Sequence, residues 1–303
     1  MGNSSNIRSN LAREGTVQWK SMPGLVDLHI ENRSSRVSLL ICLLSILTVF
    51  RAGISNQDVP PPPPEVVAVD ASVGALLDAI DKQSTELKDF SAGIRLDSLD
   101  GLSGETERRF GRVYFTIDSG DKPNRKAAMI LERTVDPEGR ARERLEHYVY
   151  ADGVLSDYDH EARKLTRRQL VGSNENRDPL RLGEGPIPIP IGQRKADILR
   201  SFKVELGVEP PPSLVKDPAE VHGLHLVPRP GTLLAEKDKI QSIDLWVDRK
   251  TSVAVAVSML EADGDRVSAR FFKSKVNEGI EGEDAKWLNA PEVDPREWRI
   301  DSR

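Results

Sequence analysis

The sequence holds one cysteine in 303 residues, Cys42, so no disulfide can form within the chain. Aromatic residues are sparse, at 5%. Positive charge is not in excess: 43 Lys and Arg face 48 Asp and Glu, for a net charge of -5, which supplies no basic field for nucleic acid. Long apolar runs are also missing. The most hydrophobic one, Val37 to Phe50, is 14 residues between Arg36 and Arg51. As a helix it would reach about 21 Å, short of the roughly 30 Å hydrocarbon core of a bilayer. No G-x-S-x-G, P-loop, G-x-G-x-x-G or H-E-x-x-H occurs, so no catalytic framework legible from local sequence is present.

What is there begins with a leader. Residues 1–36 are polar and aperiodic and read as disordered. The opening "MGNSSN" approaches a myristoylation signal, but Asn6 stands where Ser or Thr is needed. Residues 37–51 read as the apolar core of a signal peptide, with an uncleaved signal anchor as the alternative; the long leader also fits a start at Met22. Cys42 lies mid-run, which does not suit a bacterial lipobox. Residues 52–66 carry five consecutive prolines, Pro60 to Pro64, a stiff spacer of roughly 3.1 Å per residue or, less simply, an SH3-type ligand. The folded domain is expected over 67–303.

Its first element is an amphipathic helix. Val73, Leu76, Leu77, Ile80 and Leu87 recur at helical spacing opposite Asp78, Asp81, Lys82 and Glu86, with Asp70 or Ser72 as cap. From Ile94 the period becomes two. Short alternating runs such as "RRFGRVYFTI", "KAAMILER", "RERLEHYVY" and "KLTRRQLV" are separated by Gly, Pro, Asp or Asn, which predicts antiparallel pairing. "GPIPIPIGQ" cannot be a central strand, because proline removes ladder donors. "RKADILRSF" then offers a short helix. The late run "SMLEADGDRVSARFF" is a hairpin around Asp263-Gly264. The expected fold class is α+β: an incomplete antiparallel β-barrel of about ten to twelve strands, in one domain, with two to three helices. One face of that sheet is apolar, and helices, a second sheet or something that is not protein must cover it.

Each polar candidate has a simpler reading. His222 and His225 stand three apart on a strand and so point to opposite faces, which disfavours a shared metal. "SDYDHE" gathers Asp157, Asp159 and His160; a hairpin turn with solvated charges is the simpler account, and a hydrolase would depend on those three. "EADGDR" lacks the spaced oxygens of a calcium loop. "RERLE" reads as an exposed strand face. No metal, cofactor or catalytic residue is expected, nor an enzyme, nor a nucleic-acid partner.

The order of elements resembles the LolA-like periplasmic carriers of outer-membrane lipoproteins and their lipoprotein-sorting superfamily. The likeness runs from about Asp70 to Ile300. It rests on the opening helix with "FSAGIRLDS", on "FGRVYFTI" leading to "KPNRKAAM", on "YVYADGVLSDYDHEARKL", and on "LHLVPRP" with "KIQSIDLWVDRKTSVAVAVSMLEADGDRVSARFFKSKVNEGI" before "LNAPEVDPREW". It implies a periplasmic monomer, free or tethered by the signal anchor, that carries lipoprotein acyl chains or lipid between an inner-membrane release complex and an outer-membrane acceptor. Helices and acyl chains would then share the apolar face. A face filled by the protein's own helices is the alternative.

Strand phase assigns the lining to Phe115, Met129, Leu131, Val149, Leu245, Val255, Val257 and Phe271, with Leu76, Leu77 and Ile80 from the lid helix. Lys122 stands where the best-known carrier has a lid-closing arginine, and Arg125 is the substitute. The low aromatic content also departs from that carrier. The rival function is a membrane-tethered sensor or scaffold of the same superfamily that regulates a protein partner.

Overall fold

The computed structural model describes residues 70–118, 124–170, 180–182, 190–232, 234 and 240–302. The chain separates into two units, Met1–Pro63 and Pro64–Arg303, and the described residues belong to the second. The leader, the apolar run at 37–51 and the proline spacer lie outside them.

Helix α1, Ala71–Glu86, starts where Asp70 accepts a hydrogen bond from the Ser72 backbone N–H at 2.8 Å, satisfying a donor that has no partner within the helix. Val73, Leu76, Leu77 and Ile80 form its buried stripe. It ends at Leu87, in extended backbone. Asn277 fastens this corner: its Nδ2 donates to the Glu86 carbonyl at 3.0 Å and its Oδ1 accepts from the Lys88 N–H at 2.7 Å.

Six strands follow: β1 Asp89–Leu99, β2 Thr106–Asp118, β3 Asn124–Val135, β4 Ala141–Ala151, β5 Val154–Asp159 and β6 Lys164–Gln169. Helix α2, Lys195–Ser201, leads directly into β7 Phe202–Leu206. Then come β8 Val221–Pro228, β9 Ile240–Asp248, β10 Ala254–Glu261, β11 Arg266–Val276, a short helix α3 at Gly282–Lys286, and β12 Arg299–Ser302.

All twelve strands belong to one open sheet, in the order β12-β6-β5-β4-β3-β2-β1-β11-β10-β9-β8-β7. Two local meanders, β1 to β6 and β7 to β11, are joined where β1 pairs with β11, for example Ile94 opposite Phe271. Every pairing is antiparallel except β12 with β6. This is the α+β incomplete barrel that the alternation predicts; of the proline-rich stretch 185–193, residues 185–189 lie outside the described residues.

Successive side chains of a strand point to opposite faces. The inner face carries one large buried cluster, with Phe90 and Ile94 of β1, Val113 and Phe115 of β2, Leu224 and Leu226 of β8, and the α1 stripe. Three smaller clusters sit on the outer face. Leu214 and Val215 cover Trp246, Leu288 covers Tyr114 and Ile130, and Trp298 covers Val149, Tyr158 and Leu165. Thus α1 and α2 cover the inner face, as expected of helices over the apolar side, whereas α3 lies with the outer-face segment.

Candidate functional site

Nine of the eleven lining residues read from the sequence fall in the inner cluster: Leu76, Leu77 and Ile80 of α1, with Phe115, Met129, Leu131, Leu245, Val257 and Phe271 of the strands. Val149 and Val255 do not. On β4, Tyr150 belongs to the inner cluster and Tyr148 packs against it, so Val149 between them faces outward. The tyrosine rings supply apolar surface there, and the Tyr148 hydroxyl reaches Glu146 at 3.3 Å. On β10 the register shifts between Ala254 and Ala256; Ala254 and Val257 are inner, while Ala256 and Val255 turn to the outer cluster. A bulge reverses the side-chain phase, and simple alternation through it misassigns Val255.

Among the described residues, the cover consists of α1, α2 and the side chains of Leu180, Leu182, Ile191 and Leu234. Gln193, 4% exposed, ties this cover together: its amide accepts from the Leu182 N–H at 3.0 Å and donates to the Leu180 carbonyl at 2.8 Å. Helices α1 and α2 meet through charges at their rims. Asp81 accepts from Arg194 Nε at 2.7 Å and from the Lys195 backbone N–H at 3.0 Å, while Lys195 Nζ reaches Asp78 at 2.6 Å. These pairs are at least partly exposed, and such pairs are worth about 0–1 kcal/mol each. The helix lid is therefore held on mostly by its apolar stripe. Lys122 lies outside the described residues. Arg125 is half-buried, on the strand phase of Ala127 and Met129, opposite Ile117 in register.

The same inner face has a polar end that the sequence reading missed. Of "RERLE", Arg142 and Glu143 are exposed as read, but Glu146 is only 7% exposed, accepting from Arg109 at 3.2 Å with Arg144 Nε at 3.1 Å. Arg144 also reaches Asp159 at 3.0 Å. Asp157, read as a solvated turn charge, is partly buried, and burial pushes its carboxyl up to about 6, assisted by Glu146 and Asp159 and opposed by Arg168. Burial and the Glu146 charge likewise raise the Tyr148 phenol. A usable signal existed in the sequence: Arg144, Glu146, Tyr148 and Tyr150 share one strand phase, which continues into the apolar floor.

His225 pairs with Asp244 at 2.6 Å and His222 falls on the opposite strand phase. Among the described residues, no group of three His, Cys, Asp or Glu is placed to hold a metal, and no helix is long and apolar enough to cross a membrane.

The chain matches no protein-family model and no curated protein. Solved structures similar to it include an uncharacterized conserved protein from Thermus thermophilus, 11% identical, covering 77% of this chain and 99% of that one, with a TM-score of 0.40. A complex of MucA and MucB from Pseudomonas aeruginosa is 12% identical over 73% of this chain and 62% of that one, at 0.39. A LolA superfamily protein from Nitrosomonas europaea is 12% identical over 73% and 99%, at 0.31. With each of these TM-scores below 0.5, the similarities carry no argument about what this chain does.

Proposed function

We propose that the inner face of the sheet holds the hydrocarbon chains of a lipidated protein or lipid, and that the protein carries them through the periplasm without covalent chemistry. The observation that carries this reading is the nature of the cover: among the described residues, one face of a twelve-stranded open sheet is closed by two helices and a few loop residues, with no second sheet over it. An alkyl chain gains roughly 0.8 kcal/mol per methylene buried, so one acyl chain can compete with the apolar stripe of α1 for the same floor. The ion pairs at the helix rims resist that exchange weakly. In this reading α1 is the lid, Arg125 is the residue to test for gating, and the buried charges from Arg109 to Asp159 bound the apolar floor at one end.

One observation favours the rival. Leu77 of the covering helix α1 and Phe90, Ile94 and Leu224 of the strands are each fully buried, as in a sealed core. A domain sealed in this way would suit a tethered module that regulates a protein partner. The two readings separate with the unit Pro64–Arg303, purified and exposed to a fluorescent diacyl lipopeptide. Carriage requires saturable binding, together with a lipid detectable by native mass spectrometry in material purified from cells. Absence of both sinks carriage. The state of the leader is a second discriminator: a soluble mature species suits a shuttle, and retention in the membrane fraction suits a tether.

A further inference from the structure

We propose that the segment from Trp287 to Trp298, docked on the outer face by the neutral imidazole of His147, is an acid-released latch that lifts together with the edge strand β12, which pairs with β6 just beyond it. His147 lies on β4, 1% exposed. Its Nε2 stands 3.0 Å from the Trp287 carbonyl, and a carbonyl only accepts, so Nε2 carries the proton and donates. The ring stacks on Tyr158 at 5.5 Å and meets the edge of Trp287 at 4.9 Å. Beside it, His160 stacks on Tyr158 at 6.1 Å and meets the Trp298 ring edge-on at 5.3 Å. The Tyr158 hydroxyl donates to the Pro291 carbonyl at 2.9 Å. Two carbonyls and two indoles of one segment thus depend on three rings, His147 of β4, Tyr158 of β5 and His160 in the turn just after β5.

The tautomer that makes the Trp287 bond leaves His147 Nδ1 bare, and among the described residues that atom is buried with no hydrogen-bond partner, as is His160 Nε2. A second proton on His147 would place a cation there with nothing to receive it. The charged groups on the surrounding elements do not help. Glu132 of β3 and Asp284 beside Trp287 are both paired with Arg112 of β2, and Glu297 faces Arg163. Arg167 and Lys164 of β6 are themselves cations. Asp159 raises His160 against its burial, but the neighbour that acts on His147 is His160, which disfavours a positive charge there. Burial first, then His160, lowers His147 to about 4, despite the opposing bond to Trp287.

With the segment docked, His147 stays neutral; once the segment lifts, it titrates near 6.5, so docking is full above that pH and weakens as the pH falls toward 4. Between pH 7.5 and pH 5 the docking constant drops about 30-fold, one decade per pH unit below 6.5. Release bares Tyr114, Ile130, Val149 and Leu165 on the outer face. The latch is independent of what the inner face holds.

Hydrogen exchange of the full chain, followed by mass spectrometry and corrected for intrinsic rates, tests the latch. Protection over 287–302 is expected to fall about 30-fold from pH 7.5 to pH 5, while β9 and β10 keep theirs. Protection of 287–302 that ignores pH, or that falls only together with β9 and β10, overturns the proposal. His147→Gln keeps an N–H donor for the Trp287 carbonyl and cannot titrate; it should hold the segment at both pH values. A variant that retains the wild-type pH dependence removes His147 from the mechanism. If the variant fails to fold, the wild-type pH series still decides.

Discussion

Leu77→Ala is the perturbation that separates a seated, displaceable lid from a passive core helix. Leu77 is fully buried on the stripe of α1. Truncation removes three carbons, about 2.4 kcal/mol of transfer free energy at 0.8 kcal/mol each, and the residual cavity adds to that. The total expected is about 3–4 kcal/mol, slightly offset by the higher helix propensity of alanine. Urea unfolding followed by circular dichroism measures it, read as a lower midpoint at unchanged slope. If hydrocarbon competes with α1 for the inner face, weakening the seat makes the open state more populated and apparent affinity for a diacyl lipopeptide rises ten-fold or more, below the ceiling of about 100-fold set by 3 kcal/mol. Val149→Ala is the control on the outer face: it costs about 2 kcal/mol of stability and leaves lipid affinity unchanged. A Leu77→Ala cost below about 1 kcal/mol would show that α1 is not seated by this stripe. Equal effects of the two substitutions on lipid binding would refute the assignment of faces.

Two further substitutions probe the frame and the polar end. At Gly223 of β8 an added Cβ would lie 1.9 Å from the Val208 carbonyl oxygen, which is backbone and already accepts from Trp246 Nε1, so Gly223→Ala should cost more than about 2 kcal/mol; a thermal melt within about 2 °C of the parent would contradict the close approach. Asp157 has a folded-state carboxyl raised to about 6 from 3.8, so its ionised form opposes folding above pH 6 and that opposition fades as the pH falls to 4. Asp157→Asn should therefore stabilise the protein at pH 7 by about 2–3 kcal/mol and hardly at all at pH 4; a gain independent of pH would show that the carboxylate is not the cause.

Much of the fold could be read from local pattern. The α1 stripe, the period-two strands and the Asp263-Gly264 turn, with Gly264 at φ +94, depend on residues within a few positions of one another. The inner lining was legible wherever a strand kept its alternation, as at Phe115, Met129 and Leu131. It failed where the ladder slips, at Val255, and where tyrosines rather than a valine take the buried side, at Val149. The buried charges failed for another reason. Charge looks solvated in a sequence, and whether Glu146 is buried depends on Arg109, 37 positions away, arriving beside it.

The kinds of element, their order and the presence of an apolar side follow from residue order alone, because hydrophobic period and turn chemistry are properties of neighbours along the chain. Folding alone sets that β1 meets β11, which side each residue takes beyond a bulge, which charges are buried, and that His147 and His160 stack on Tyr158 and meet Trp287 and Trp298 edge-on. A strand phase has period two, so one inserted residue reverses it, and a buried polar group is defined by partners that only folding brings within reach.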